Sequence, residues 1–282
     1  MQNNNFNTSQ QIDVVFSVDD AYADYALVTM YSITKSNKTF KKIHFHVITN
    51  DMNDSNQSMI KAMERNVPNI CVDFIFIDIE IFINFPLNIK HISPIVYGKF
   101  VIANALKDID RVLYLDADTI IFHDLLDLWE TNLEGKCIAG SHKPYINTQF
   151  PGYKEFIGLK KDSTYINAGV MLMNLKRIRE LKMTEKLLKN AVKLRDIVRI
   201  QDQDIINITF RNEIVNVSKR YNYTDSDRRE GELNANEVVI VHFNTPNKPW
   251  NNDFIVDDTN ESFAKKYLEY KHEVEAILSD MS

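Results

Sequence analysis

Two carboxylates one residue apart, Asp116 and Asp118, follow the apolar run Val112, Leu113, Tyr114 and Leu115 without a gap. A strand ending there releases both acids together at the edge of a sheet, where the ligands of α/β proteins bind. Paired oxygen donors of this kind suit Mg²⁺ or Mn²⁺. A D-x-D triplet alone is equally the composition of a solvated turn, so its place directly behind a buried strand is what favours the metal reading. The segment VVIVHFNTPNKPW adds His242 at a strand end and Lys248 in a loop between Pro246 and Pro249. A histidine at a strand end is ordinarily a hydrogen-bonded structural group. Beside two acids it becomes a candidate third ligand, and imidazole with carboxylates favours Mn²⁺ over Ca²⁺. Lys248 would neutralise a leaving phosphate, or else is an exposed loop lysine.

A third cluster, IQDQDIINITF, puts Asp202, Gln203 and Asp204 at the expected start of a helix. Acids in a first turn complement the helix dipole, so capping accounts for Asp202 and Asp204 as well as function does. The Gln203 amide can both donate and accept toward a sugar hydroxyl. Asn167, in YINAGVMLMNL, and Asp19, after the first strand, stand at element ends where turn formation and ligand binding are both reasonable.

These residues need a scaffold, and the hydrophobic pattern describes one. Residues 12–18 read as a strand, 22–36 as a helix, 44–49 as a strand, 54–66 as a helix and 72–78 as a strand. The last is almost continuously apolar, which predicts cover on both faces. Ser93 is placed to cap a helix with Pro94 in its first turn, and Ile95, Val96, Phe100 and Ala103 are spaced for its buried face. Strands are expected at 111–115, 136–140, 170–175, 214–217 and 238–241, helices at 184–198 and 262–278, and a mobile loop over the polar residues 225–236. Strands alternating with helices predict an α/β fold, a single Rossmann-like domain whose mainly parallel central sheet is flanked by helices. We expect a disordered tail over residues 1–11, one domain over 12–250, and a C-terminal helical extension over 251–282 packed on it.

At 282 residues and 44% hydrophobic content the chain can bury a substantial core. A net charge of −6 would repel nucleic acid, which is not expected as a partner. Cys71 and Cys137 have neither disulfide-framework nor zinc spacing, which fits a reducing cytoplasm. The first residues lack the basic and apolar segments of a secretory signal. No run reaches the roughly 18 apolar residues of a spanning helix, so membrane contact is expected to be peripheral at most, at the inner face. The 262–278 helix could dock on a membrane, but its ordinary apolar spacing favours packing on the core.

In order and spacing, VVFSVDDAY, FPLNIKHIS, RVLYLDADTIIF, YINAGVMLMNL, QDQDIIN and HFNTPNKPW resemble glycosyltransferase family 8, especially its bacterial lipopolysaccharide galactosyl- and glucosyltransferases. The resemblance implies a GT-A fold, a UDP-galactose or UDP-glucose donor, Mn²⁺ (or Mg²⁺) as cofactor, retention of anomeric configuration, and a glycan, lipid-linked glycan or glycoprotein acceptor. By it Asp116, Asp118 and His242 correspond to metal ligands, Lys248 to a diphosphate contact and Asp19 to a uracil-side contact. Asn167, Asp202 and Gln203 correspond to residues lining the donor sugar, with Gln203 nearest the place of a nucleophile, and His91 to an acceptor-side histidine. Three positions depart from the family pattern. Ala21 stands in place of an asparagine, Lys99 replaces an arginine of the donor pocket, and His142-Lys143 lacks an acid expected near the sugar. Lysine keeps the charge of arginine but loses its bidentate fork. Two rival classes remain: a metal-dependent nucleotidyltransferase or phosphohydrolase, and a UDP-sugar-binding module without turnover. The sequence contains no G-x-x-x-x-G-K-S/T loop, which disfavours P-loop chemistry.

Overall fold

The computed structural model describes residues 11–89, 93–231 and 233–279. The expected tail therefore lies outside the described residues except for Gln11, which opens the first strand. Among the described residues nine strands follow in chain order: β1 (Gln11–Ser17), β2 (Lys42–Thr49), β3 (Ile70–Phe76), β4 (Arg111–Leu115), β5 (Thr119–Ile121), β6 (Ile138–Ser141), β7 (Val170–Asn174), β8 (Ile214–Val217) and β9 (Ile240–His242). Their main helical partners are α1 (Ala23–Ser36), α2 (Asp54–Asn66), α3 (Met183–Lys193), α4 (Gln201–Thr209), α5 (Asp225–Glu230) and α6 (Glu261–Ser279).

Seven strands form one sheet in the order β3-β2-β1-β4-β7-β6-β8, and β5 and β9 form a second, two-stranded one. Neighbours in the large sheet are parallel except around β7, which runs against both β4 and β6. This is the mainly parallel α/β sheet expected. The aliphatic residues of β1 and β4 are buried, as the centre of a sheet covered on both faces requires. β3 departs from expectation: it is the sheet edge, with Asp73 and Phe76 exposed. A continuous apolar run cannot by itself separate an edge strand from a central one.

One core packs α1, α2 and α6 against the sheet, and the other packs the segment 94–106 with α3 and α4 against its opposite face. In α6 the buried residues are Phe263, Ala264, Tyr267, Tyr270 and Val274. Tyr270 meets Tyr31 of α1 edge-on at 5.8 Å, so the apolar stripe of this helix covers the protein's own core. Among the described residues no helix is long and apolar enough to cross a membrane.

Ser93 accepts a hydrogen bond from the Ile95 N–H, but the chain then runs as a 3₁₀ helix over Pro94–Phe100 before a short α-helix, Ile102–Ala105. The Ser17 hydroxyl donates to the Ile95 carbonyl at 2.6 Å, and Gly98 lies where a Cβ would sit 2.1 Å from that hydroxyl oxygen. Pressed against β1, this turn winds tighter than the α-helix expected. The helix expected over 184–198 stops at Lys193.

The loop expected over 225–236 is instead opened by α5. Thr224 and Asp227 form a capping box, and Gly231 ends the helix at φ 65°, in the left-handed region that glycine tolerates. Asp227 also receives the fully buried Lys143 ammonium, which donates as well to the Asn222 carbonyl at 2.6 Å. The polar composition that reads as loop is thus a capped helix holding a buried ion pair.

Both cysteines are free thiols. Burial and the nearby Glu213 push the Cys137 thiol up to about 12, so at pH 8 only about one molecule in 10⁴ carries the reactive thiolate. We expect at most one thiol, Cys71, to react with a disulfide reagent in the native protein, and both in guanidinium. Rapid reaction of two thiols in the native state would contradict this packing.

Candidate functional site

The turn after β4 is pinned from several sides. The Asp116 N–H donates to the Gly169 carbonyl at 2.8 Å, the Thr119 hydroxyl donates to the Asp116 carbonyl at 2.9 Å, and Thr29 of α1 donates to the Ala117 carbonyl at 2.9 Å. β5 then pairs antiparallel with β9, with Thr119 opposite His242. That register carries the distant imidazole onto the acids. His242 Nε2 lies 3.0 Å from Asp118 Oδ1 and 3.8 Å from Asp116 Oδ2, and one ligating atom from each of the three residues fits within a 4.8 Å span.

The imidazole has a fixed orientation. His242 Nδ1 donates to Asn222 Oδ1 at 3.0 Å, while the Asn222 amide donates to Asn167 Oδ1 at 2.9 Å. The Nε2 lone pair therefore faces the carboxylates, and Asp118 Oδ1 is buried with no hydrogen-bond donor. Lone pairs converging on one point are a place for a cation, and two carboxylates with one imidazole fit Mn²⁺ or Mg²⁺ chemistry. Partners that orient a metal-binding histidine tune affinity. Asn222→Ala should weaken Mn²⁺ binding by ~10–100-fold in titration calorimetry, with circular dichroism unchanged. Unaltered affinity would remove Asn222 from this role.

Two lysines balance the acids. Lys248 Nζ is 2.5 Å from Asp118 Oδ2 and also donates to the Phe243 carbonyl. Burial opposes ionisation of Asp118, but the Lys248 ammonium beside it holds its carboxyl well below the usual range. Lys99 is buried, its Nζ 2.7 Å from Asp202 Oδ2 and 3.2 Å from Asp116 Oδ1. Burial opposes that charge too, yet Asp116 and Asp202 hold the ammonium well above its ordinary value. Burial also pushes the Asp202 carboxyl up. Lys99 thus works from behind the site wall, joining Asp116 to Asp202.

Two cavities meet at the acids. One, of about 130 Å³, is lined by Ser17, Asp19, Tyr22 and Ile95, and the other, of about 260 Å³, by Tyr145, Asn167, Asp202, Gln203 and Lys248; Asp116 and Asp118 line both. In the smaller, Asp19 Oδ1 is buried without a partner. In the larger, Gln203 Oε1 accepts from the Asn167 amide at 2.9 Å and its Nε2 donates to the Tyr165 hydroxyl at 3.2 Å. Burial and the negative charge of Asp118 push the phenol of Tyr22 up to about 12.

The structure separates the two acids of α4. Asp202 enters the larger cavity, whereas Asp204 is buried and accepts from the Tyr153 and Tyr165 hydroxyls, each at 2.5 Å, and from the Ile200 N–H at 2.8 Å. Asp204 is a structural cap. Lys143 lines neither cavity and pairs instead with Asp227 of α5. His91 lies outside the described residues.

Sequence reasoning missed Tyr114, Gly169 and Asn222. Tyr114 donates its hydroxyl to Asp116 Oδ1 at 2.6 Å, and a tyrosine inside a buried aliphatic strand is itself a sign that its hydroxyl has a partner. A Cβ at Gly169 would lie 2.2 Å from His242 Cε1 and 2.6 Å from Asp116 Oδ2. A glycine opening a strand can mark such a close approach. Asn222 sits in no recognisable pattern.

Residues 13–253 match the family model described as "Glycosyl transferase family 8". The chain is 31% identical to a putative glycosyltransferase of Haemophilus influenzae over 86% of this chain and 74% of that one. It is 25% identical to a lipopolysaccharide 1,2-glucosyltransferase of Escherichia coli K12, over 87% and 75% of the two chains. The crystal structure of galactosyltransferase LgtC with donor and acceptor sugar analogs superposes with a TM-score of 0.80 at 29% identity, covering 93% of this chain and 96% of that one. The fold is GT-A.

Proposed function

The chain belongs to glycosyltransferase family 8, and from that premise we propose that it transfers galactose or glucose from a UDP-sugar to a glycan hydroxyl, with retention of anomeric configuration. The observation that carries this reading is the position of Asp116, Asp118 and His242 at the junction of two unlike cavities. A nucleoside in the smaller cavity and a hexose in the larger would place the diphosphate between them at the triad. A divalent cation held by Asp116, Asp118 and His242, Mn²⁺ or Mg²⁺ by the donor set, would stabilise the charge that builds on the leaving UDP. Lys248, already beside Asp118, would neutralise the same diphosphate.

Asp19, with its unpartnered buried oxygen, would receive a donor from the uracil ring or ribose. Asn167, Asp202 and Gln203 would line the hexose. Retention by double displacement needs an enzyme nucleophile. Gln203 is a weakly basic amide held by Asn167 and Tyr165, and the Asp202 carboxylate is paired with Lys99. Neither is a free nucleophile, which favours front-face attack by the acceptor hydroxyl while both side chains offset positive charge on the sugar. The named activities of the relatives point to lipopolysaccharide or another surface glycan as the acceptor class.

The deciding experiment is a donor screen with Mn²⁺, followed by an acceptor array using the winning donor. UDP together with a glycoside from UDP-galactose or UDP-glucose supports the proposal. Release of UMP or pyrophosphate would indicate the nucleotidyltransferase or phosphohydrolase class. Binding of UDP-sugar with no turnover across the array would indicate a binding module.

A further inference from the structure

Far from the triad, the first three strands assemble a second set of ligating side chains. Ile43, Phe45 and Val47 of β2 face the core under α1 and α2, so His44 and His46, at alternate positions, share the opposite face of the sheet. Parallel register sets Asp13 of β1 beside His44 and Asp73 of β3 beside His46. Asp13 precedes Asp19 by six residues, so the cluster lies roughly 20 Å from the junction of the cavities along the strand direction.

The atoms converge closely. Asp13 Oδ1 is 2.9 Å from His46 Nε2 and 3.5 Å from His44 Nδ1, and donor atoms of the three residues all lie within 4.8 Å of one another. On its far side His44 Nε2 donates to Asp73 Oδ2 at 2.7 Å. With Nε2 directed to Asp73, Nδ1 is the nitrogen that His44 turns toward the Asp13 carboxylate. Asp13 Oδ1 is therefore faced by one nitrogen from each imidazole.

We propose that Asp13, His44 and His46 form a second metal site, for a borderline transition-metal ion of the Zn²⁺ class, with Asp73 orienting His44 and solvent completing the coordination. Two imidazoles and one carboxylate with an open fourth position is a donor set that Zn²⁺ accepts. Asp73 stands behind His44 as carboxylates stand behind zinc-bound histidines, and the Gln11 amide, 3.1 Å from each Asp13 oxygen, supports the ligating carboxylate in the same way. Binding needs His46 in its Nδ1-protonated tautomer. With half-buried His44 and Asp13 facing exposed Asp73, the ion can enter from the sheet edge. Nitrogen-rich donors distinguish this site from the acid-rich triad, which suits Mn²⁺ or Mg²⁺. Cys71 groups with His44 and Asp73 and not with Asp13 and His46, so it stands outside the proposed ligand set.

Equilibrium dialysis of the full chain, stripped with a chelator and returned to Zn²⁺, tests this. Because Zn²⁺ also enters acid-rich sites, the background is the Asp118→Asn chain, with folding checked by circular dichroism. That chain should retain one Zn²⁺, and adding either His44→Gln or Asp13→Asn should weaken its binding by at least ~10-fold. Asp73→Asn should weaken it by ~10–100-fold as an orienting partner. Cys71→Ser should change nothing. No Zn²⁺ retained by Asp118→Asn, unchanged affinity in folded His44→Gln and Asp13→Asn chains, or a loss caused by Cys71→Ser would each overturn the assignment.

Discussion

Asp116→Ala lowers sugar transfer at saturating Mn²⁺ by at least ~10³-fold, about 4 kcal/mol of transition-state stabilisation. The expectation rests on how many groups converge on this one carboxylate. Its Oδ1 accepts from the Tyr114 hydroxyl at 2.6 Å and from Lys99 at 3.2 Å, and its Oδ2 faces His242 Nε2 at 3.8 Å. Alanine removes one of the three candidate ligands and leaves the buried Lys99 ammonium with Asp202 alone. Removing one partner from a buried charge network is costly, so the geometry of Asp202 in the sugar cavity should shift as well. Gln203→Ala, which deletes an amide but no ligand, should retain a measurable rate, reduced by ~10–100-fold. UDP release with added acceptor measures both. Near-normal turnover by Asp116→Ala with metal present would sink the proposed chemistry.

The second large effect comes from the addition of a single methyl group. In Gly169→Ala the new Cβ meets His242 Cε1 at 2.2 Å and Asp116 Oδ2 at 2.6 Å, well inside contact distance. Neither wall can easily withdraw. The Asp116 N–H is bonded to the Gly169 carbonyl at 2.8 Å, Leu115 is paired with Val170 across β4 and β7, and His242 is held in β9 and by Asn222. The imidazole must therefore rotate off Asn222 or move away from the acids. We expect Mn²⁺ affinity and transfer to fall together by ~10²-fold or more, with far-ultraviolet circular dichroism of wild-type shape, because the clash lies at a strand end and not in either core. Wild-type metal affinity in Gly169→Ala would show that the triad tolerates displacement and is not the metal centre.

Much of the scaffold was legible because its signals are local. α2 runs over the residues the periodicity predicts, with Asn53 accepting from the Asn56 N–H at 2.9 Å as its cap. β8 likewise matches its expected span. α5 was misread although Thr224, Asp227 and Gly231 carry both its start and stop signals, because a run rich in Asp, Arg and Glu weighs toward loop when its buried partner Lys143 is far away in the chain. The edge position of β3 was not legible, since whether a further strand pairs with it does not depend on its own residues.

The sequence by itself determined the donor chemistry. Two carboxylates behind a buried strand, a histidine and a lysine in one later segment, and an amide between two acids are statements about residue types and near neighbours, which survive any packing. Only the tertiary structure decided which atoms face one another. The register that sets Thr119 opposite His242 closes the triad across the stretch of chain that carries β6, β7 and β8, and Asn222 chooses the nitrogen that His242 presents. Successive helical residues turn by about 100°, so Asp202 meets the cavity and Lys99 while Asp204 meets two tyrosines. Long-range pairing and facing of this kind arise from the packing of whole elements, and no short stretch of sequence contains them.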